Sequence, residues 1–213
     1  MIDLAWVDEI LKNYIRPHTS PVAVKLCTSA DQLPERVKMP GRDFKRKIPL
    51  CMAIAMARRY DWVVAVGKED QACPFGALTM GFAAPTKGYL EGTVYALSTP
   101  EAAAKTAQSL SRLEPGAYTH MLVAPLARAA FEPDLIVVYG NPAQVGRLIQ
   151  ATLLKRGGAL TTPTVGGIAC ASVIARTKIE DECQYVAVGA GDRIFALTQD
   201  DEMVFTMPMS RIG

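Results

Sequence analysis

Leu135-Ile136-Val137-Val138-Tyr139-Gly140-Asn141-Pro142-Ala143-Gln144 joins an unbroken apolar run directly to a helix start. A continuous apolar run of strand length belongs to a strand covered on both faces. Asn141 at the cap, Pro142 at the first helical position and Gln144 at the third make a variant of the capping box. The helix is expected to run to about Lys155 and to stop at Gly157-Gly158. A buried strand leading straight into a capped helix places the chain among layered folds of sheet and helix.

The same two patterns recur on either side. Strands are expected at Val22–Leu26, Trp62–Val66, Thr93–Leu97, Tyr118–Ala124, Tyr185–Val188, Arg193–Leu197 and Glu202–Thr206. Leu4, Val7, Ile10, Leu11 and Tyr14 share one face of a helix over residues 2–15, which Arg16-Pro17 ends. A second helix covers about Cys51 to Arg59, and Cys73-Pro74 opens a short one. Ser98-Thr99-Pro100-Glu101 is a helix start, with Pro115-Gly116 as the stop. The elements interleave without strict alternation. The expected class is therefore α/β, with α+β as the alternative: a mixed β-sheet with flanking helices. One domain spans residues 1–213, and residues 1–17 form an N-terminal helix packed on it.

The 213 residues, half of them hydrophobic, suffice for a substantial core. A formal net charge of +2 gives no reason to expect a nucleic-acid partner. No apolar run approaches the ~18 residues of a membrane helix. Met1–Glu9 has no basic leader and carries acids early, so no signal peptide is expected. Five cysteines without a leader point to a reducing, cytoplasmic setting and against structural disulfides. The expected partners are a small molecule or a redox partner; edge strands leave a homo-oligomer as an open alternative.

Three of those cysteines carry the chemistry. Cys51, Cys73 and Cys170 each stand where an apolar or small-residue segment begins, at what reads as a helix N-terminus. The unsatisfied N–H groups there favour a thiolate, which is both nucleophile and metal ligand. The leading expectation is an iron–sulfur protein. Cys51, Cys73 and Cys170 would hold three irons of a [4Fe–4S] cluster and leave the fourth open, for a redox role or the activation of a small substrate. A Cys₃His zinc site with His18 or His120 is weaker, since neither histidine lies in a ligand pattern. The alternative of another class is a non-catalytic module with buried structural cysteines and no cofactor, or a tetrapyrrole, in its pocket. Cys73, followed by Pro74, is the best candidate nucleophile, and no Cys-x-x-Cys pair exists for a thioredoxin-type mechanism. No enzyme class follows from the residues. Asn141 and Gln144 are candidates for binding a polar ligand at the strand end, beside their plainer role as a helix cap.

A weak internal pseudo-repeat is also visible. Cys51 leads to Val63-Val64-Ala65-Val66-Gly67, and Cys170 leads to Tyr185-Val186-Ala187-Val188-Gly189. Asp70 and Asp192 follow the two glycines at the same offset. If the segments are related by a pseudo-twofold axis, Cys51 and Cys170 face one another.

Ser20-Pro21-Val22-Ala23-Val24-Lys25, Leu50-Cys51, Cys73-Pro74-Phe75-Gly76-Ala77, Leu113-Glu114-Pro115-Gly116 and the block from Phe131-Glu132-Pro133-Asp134 to Asn141-Pro142-Ala143-Gln144 occur in this order. The combination resembles domain-of-unknown-function family 169, the archaeal conserved region family, over about residues 20–209. The resemblance implies a prokaryotic, cytoplasmic protein of a kind frequent in anaerobes. It implies that Cys51, Cys73 and Cys170 are family positions, with Cys27 and Cys183 incidental. Phe75 departs from the family's more usual Cys-Pro-Gly-Ala.

Overall fold

The computed structural model describes residues 2–91, 99–165 and 168–212. Six strands form one sheet: β1 (Val22–Cys27), β2 (Val64–Gly67), β3 (His120–Pro125), β4 (Leu135–Gly140), β5 (Gln184–Ala187) and β6 (Met203–Pro208). Their order is β2-β3-β1-β4-β6-β5, and every pairing is antiparallel. The helices are α1 (Leu4–Ile10), α2 (Leu50–Tyr60), α3 (Pro74–Thr79), α4 (Lys87–Leu90), α5 (Pro100–Ser109), α6 (Pro142–Leu153), α7 (Arg176–Glu180) and α8 (Ala190–Phe195). A π-helical turn at Leu11–Ile15 extends α1, and another at Ala171–Ala175 precedes α7. The class is mixed α/β, as the sequence predicts, but the sheet expected to be mixed is antiparallel because each strand pairs with a neighbour running the other way.

The sheet is built outward from its central pair. β1 and β4 lie side by side, with Ala23 opposite Ile136. In the first half the chain leaves β1, makes α2, enters the edge strand β2 and returns as β3 between the two. In the second half it leaves β4, makes α6 and α7, enters the opposite edge β5 and returns as β6 between those two. The strand order alone is matched about the centre of the sheet: among the described residues α3, α4 and α5 separate β2 from β3, whereas α8 separates β5 from β6, and an internal repeat is not shown.

Alternation along the strands sorts the core into two layers. Val22, Val24, Leu26, Val64, Val66, Val123, Leu135, Val137 and Tyr139 pack on one face, against Ala53, Ile54 and Ala57 of α2 and Val173 and Ile174 of the π-turn before α7. Ala23, Ile136, Val138 and Phe205 pack on the other, against Val7 of α1, Leu11 of its π-turn and Val145 and Leu148 of α6. β4 is buried at all six positions, which is why it reads as a continuous apolar run.

One predicted strand is a helix. Arg193–Leu197 falls in α8 and the turn after it, because Gly189 opens the helix and Asp192 occupies its first turn. Arg58 Nη2 donates to the Ala196 and Leu197 carbonyls and closes the far end at 3.1 and 3.3 Å. The helix expected to run from Thr99-Pro100 to the stop at Pro115-Gly116 ends earlier, at Ser109. The Thr93–Leu97 strand prediction lies outside the described residues. No described helix is long and apolar enough to cross a membrane.

Candidate thiol and carboxylate site

All three predicted cysteines lie at helix starts on the same face of the sheet. Two are positioned by a backbone device. Ile48 and Gln71 form an isolated parallel bridge, with Ile48 N–H donating to Asp70 O at 2.8 Å and Ala72 N–H to Ile48 O at 3.0 Å. The two segments then run side by side into α2 and α3, bringing Cys51 and Cys73 along with them. Gly76 permits the close approach: a Cβ there would stand 3.1 Å from Gln71 Nε2 and 3.2 Å from Leu50 Cδ1. Cys73 is the cap of α3, with Pro74 at the first helical position, as predicted. Cys170 stands at the start of the π-turn before α7 and packs against both the main core and the satellite cluster of Leu78, Tyr89, Ala107, Leu110 and Ile168.

The three sulfurs share one neighbourhood. The Cys51 thiol is pushed up to about 12, first by burial, then by the Asp192 and Cys73 charges. The Cys170 thiol is also pushed well up, first by burial, then by Asp192, Cys73 and Cys51. The Thr79 hydroxyl lies next to Cys170 and offsets this slightly, without the alignment of a full hydrogen bond. Helix N-termini were expected to favour thiolates here. Desolvation outweighs them: burial disfavours the charged form, and the nearest charges are negative.

Asp192 completes the group and was not singled out as a site residue. It is 7% exposed in the first turn of α8. Burial raises its carboxyl, while the backbone amides of Gly189 and of Asp192 itself, then Arg193 and Arg58, draw it part of the way back. The signal in the sequence was the Gly-x-x-Asp spacing after an apolar strand, which had served only the repeat argument. Tyr139, at the end of β4, lies under the same group. Burial, then Asp192, raise its hydroxyl, and Arg58 opposes them.

An ion pair anchors the far end of α2. Arg58, fully buried, meets Glu202 at 2.8 and 3.2 Å, donates to Thr19 Oγ1 at 3.1 Å, and lies 4.0 Å from the centre of the Tyr139 ring. Burial alone would raise the Glu202 carboxyl; Arg58 and the Gln199 N–H hold it below its ordinary range. Glu202 itself is only 7% exposed.

The iron–sulfur expectation is corrected. Among the described residues, no group of three or more His, Cys, Asp or Glu side chains is placed to hold a metal ion. The three thiols gather in one region without forming a coordination sphere, and two are held in the protonated form that a metal ligand must lose. The histidines stand apart from the thiols. His120 Nδ1 pairs with Thr119 Oγ1 at 3.0 Å, and its ring covers Gly67. His18 lines a cavity of about 500 Å³ with Arg16, Asn141, Gln144 and Arg147.

Asn141 and Gln144 form the reciprocal cap in full. Asn141 N–H donates to Gln144 Oε1 at 2.8 Å, Gln144 N–H donates to Asn141 Oδ1 at 2.9 Å, and Gln144 Nε2 donates to the Arg16 carbonyl at 2.6 Å. The Gln144 amide is thereby engaged at both ends inside the protein.

No solved structure matches the chain. A protein described as uncharacterised, from Methanocaldococcus jannaschii, is 28% identical over 197 residues, covering 90% of this chain and 82% of its own. The profile of domain-of-unknown-function family 169, described as uncharacterised ArCR, matches residues 10–213, and the chain belongs to that family.

Proposed function

We propose that the protein carries out thiol–disulfide exchange at the cysteine group, with Cys73 as the entering thiol. One observation supports this most: three unpaired thiols from three segments lie within electrostatic reach of one another, and two of them, Cys51 and Cys170, within reach of the buried Asp192 carboxylate. Cys73 is the shared neighbour, since its charge bears on both Cys51 and Cys170. In the first step the Cys73 thiolate attacks one sulfur of a disulfide R–S–S–R. The substrate S–S bond breaks, a Cys73–SR bond forms, and RS⁻ leaves and takes a proton. In the second step Asp192 accepts the Cys51 proton, Cys51 attacks the Cys73 sulfur, and the second RS⁻ leaves. One substrate disulfide is reduced to two thiols as two protein thiols are oxidised to one disulfide.

Cys51 is the assigned second thiol because the Ile48–Gln71 bridge ties its segment to that of Cys73. Asp192 suits the proton transfer because it is buried and its charge bears on the Cys51 thiol. Five unpaired cysteines fit a reducing, cytoplasmic setting, which we adopt as part of this reading. The test is to treat the reduced protein with a chromogenic aromatic disulfide, count released thiol and map the bonds. Two equivalents with a Cys51–Cys73 disulfide are expected. Modification confined to other cysteines overturns the reading.

A further inference from the structure

One buried amide beside Cys73 has half of its hydrogen-bonding capacity idle. Gln71 is 8% exposed. Its Oε1 accepts from the Cys73 backbone N–H at 2.9 Å, while its Nε2 has no partner and no contact with solvent. A flipped amide does not remove the anomaly, because the Cys73 N–H would then face another donor. The orientation is therefore fixed by Cys73 itself, and the nitrogen is the end left over.

The idle donor sits on the residue that holds the backbone of the entering cysteine. It belongs to the same amide that holds the Cys73 backbone, and it lies over Gly76, where a Cβ would stand 3.1 Å away. Gly76 is in the first turn of the helix that Cys73 caps. A buried donor without an acceptor costs about 1–3 kcal/mol. Native proteins rarely tolerate that cost unless water or a ligand meets the group. Gln71 thus combines a fixed direction, burial and an unmet need for an oxygen in the side chain that binds the Cys73 backbone.

We infer that the disulfide substrate carries an amide or carboxyl oxygen a few bonds from its sulfur, and that Gln71 Nε2 donates to that oxygen while Cys73 attacks. This rests on the exchange reading above and names its substrate class: disulfides of the cysteine or peptide kind, in preference to plain alkyl disulfides. The bond-making and bond-breaking are unchanged. Gln71 orients the substrate and takes no part in proton or electron transfer.

The experiment uses two probes on the full chain, N,N′-diacetylcystamine, which carries amides, and diethyl disulfide, which carries none. The rate of Cys73 modification by each is divided by its rate with a free thiol in solution, so that intrinsic reactivity cancels. The native protein is expected to prefer the amide probe by about tenfold, the size of one hydrogen bond. Gln71→Glu keeps an acceptor for the Cys73 N–H and removes the donor; it is expected to abolish the preference. Any effect of its added charge falls on both probes and leaves the ratio alone. Gln71→Met serves as the uncharged second variant with the same expected ratio. Equal rates for the two probes in the native protein, or a preference that survives both substitutions, overturn the inference while Cys73 exchange itself stands. Failure of both probes to modify Cys73 overturns the exchange reading and this inference with it.

Discussion

Asp70 and Asp192 follow the two edge strands of the sheet by the same route, strand, glycine, two residues, aspartate, and they end in opposite circumstances. Asp70 accepts the Gly67 N–H at 3.1 Å and the Gly41 N–H at 2.8 Å, so both carboxylate oxygens are bonded. It closes a turn and ties a loop to it. Asp192 occupies the corresponding place beyond Gly189, but Cys51, Cys170 and Tyr139 feel its charge and burial raises its carboxyl. One local device thus serves structure at one edge and leaves a reactive group exposed to thiols at the other. The difference lies in what packs against the turn: a loop with free N–H groups beside Asp70, and the helix starts that bear cysteines beside Asp192.

Substitutions sharpen that contrast, beginning with the cation that faces Asp192. Arg58→Met is expected to lose about 3–5 kcal/mol in denaturant unfolding, because buried Glu202 loses its closest cation and keeps only Arg59 at 3.5 Å and the Gln199 N–H. It also removes a positive charge that draws Asp192 down, so Asp192 should titrate higher still. Asp70→Ala is expected to cost about 3 kcal/mol, two charge-assisted hydrogen bonds at about 1.5 kcal/mol each. Asp192→Asn should behave in the opposite sense. A raised carboxyl binds its proton more tightly folded than unfolded, so the ionised form lowers stability as pH rises above the unfolded value of about 3.9. The variant is therefore expected to be slightly more stable than the native protein at pH 7, by less than about 1 kcal/mol. That gain should vanish below about pH 3.9, as thermal melts across pH would show. Equal losses from Asp70→Ala and Asp192→Asn would break the comparison. The smallest effect is on Cys51. Its thiol, pushed up to about 12 by burial and then by Asp192, should show an alkylation midpoint that falls in Asp192→Asn yet stays above the ordinary thiol value of about 8.5, because burial is the larger cause.

The sequence declared the parts of this fold that local physics controls. β4 is apolar throughout because both its faces are covered, and the Asn141–Gln144 cap forms as its residue types dictate. α8 was misread because Arg193–Leu197 has a strand-like composition, whereas its conformation is set by Gly189 at one end and by a distant Arg58 at the other. The candidate site was half legible. Cysteines at helix starts were visible, and so was the offset shared by Asp70 and Asp192. What the sequence could not show was the balance at the sulfurs. Helix starts taken one at a time favour thiolates, but at Cys51 and Cys170 burial beside a carboxylate favours the thiol. The same balance leaves two of the three expected ligands as proton-bearing thiols. The orphaned nitrogen of Gln71 was equally invisible, since it depends on a bridge between segments that lie apart in the chain.

The account stands on the order of events at Cys73 and Cys51, and the most direct measurement is a trap. Cys51→Ser, reacted with the same chromogenic disulfide, is predicted to release one thiol equivalent and to stop with the mixed disulfide on Cys73, visible as an intact-mass increment that maps to its peptide. Release of two equivalents, as from the native protein, or an adduct that maps away from Cys73, would contradict it.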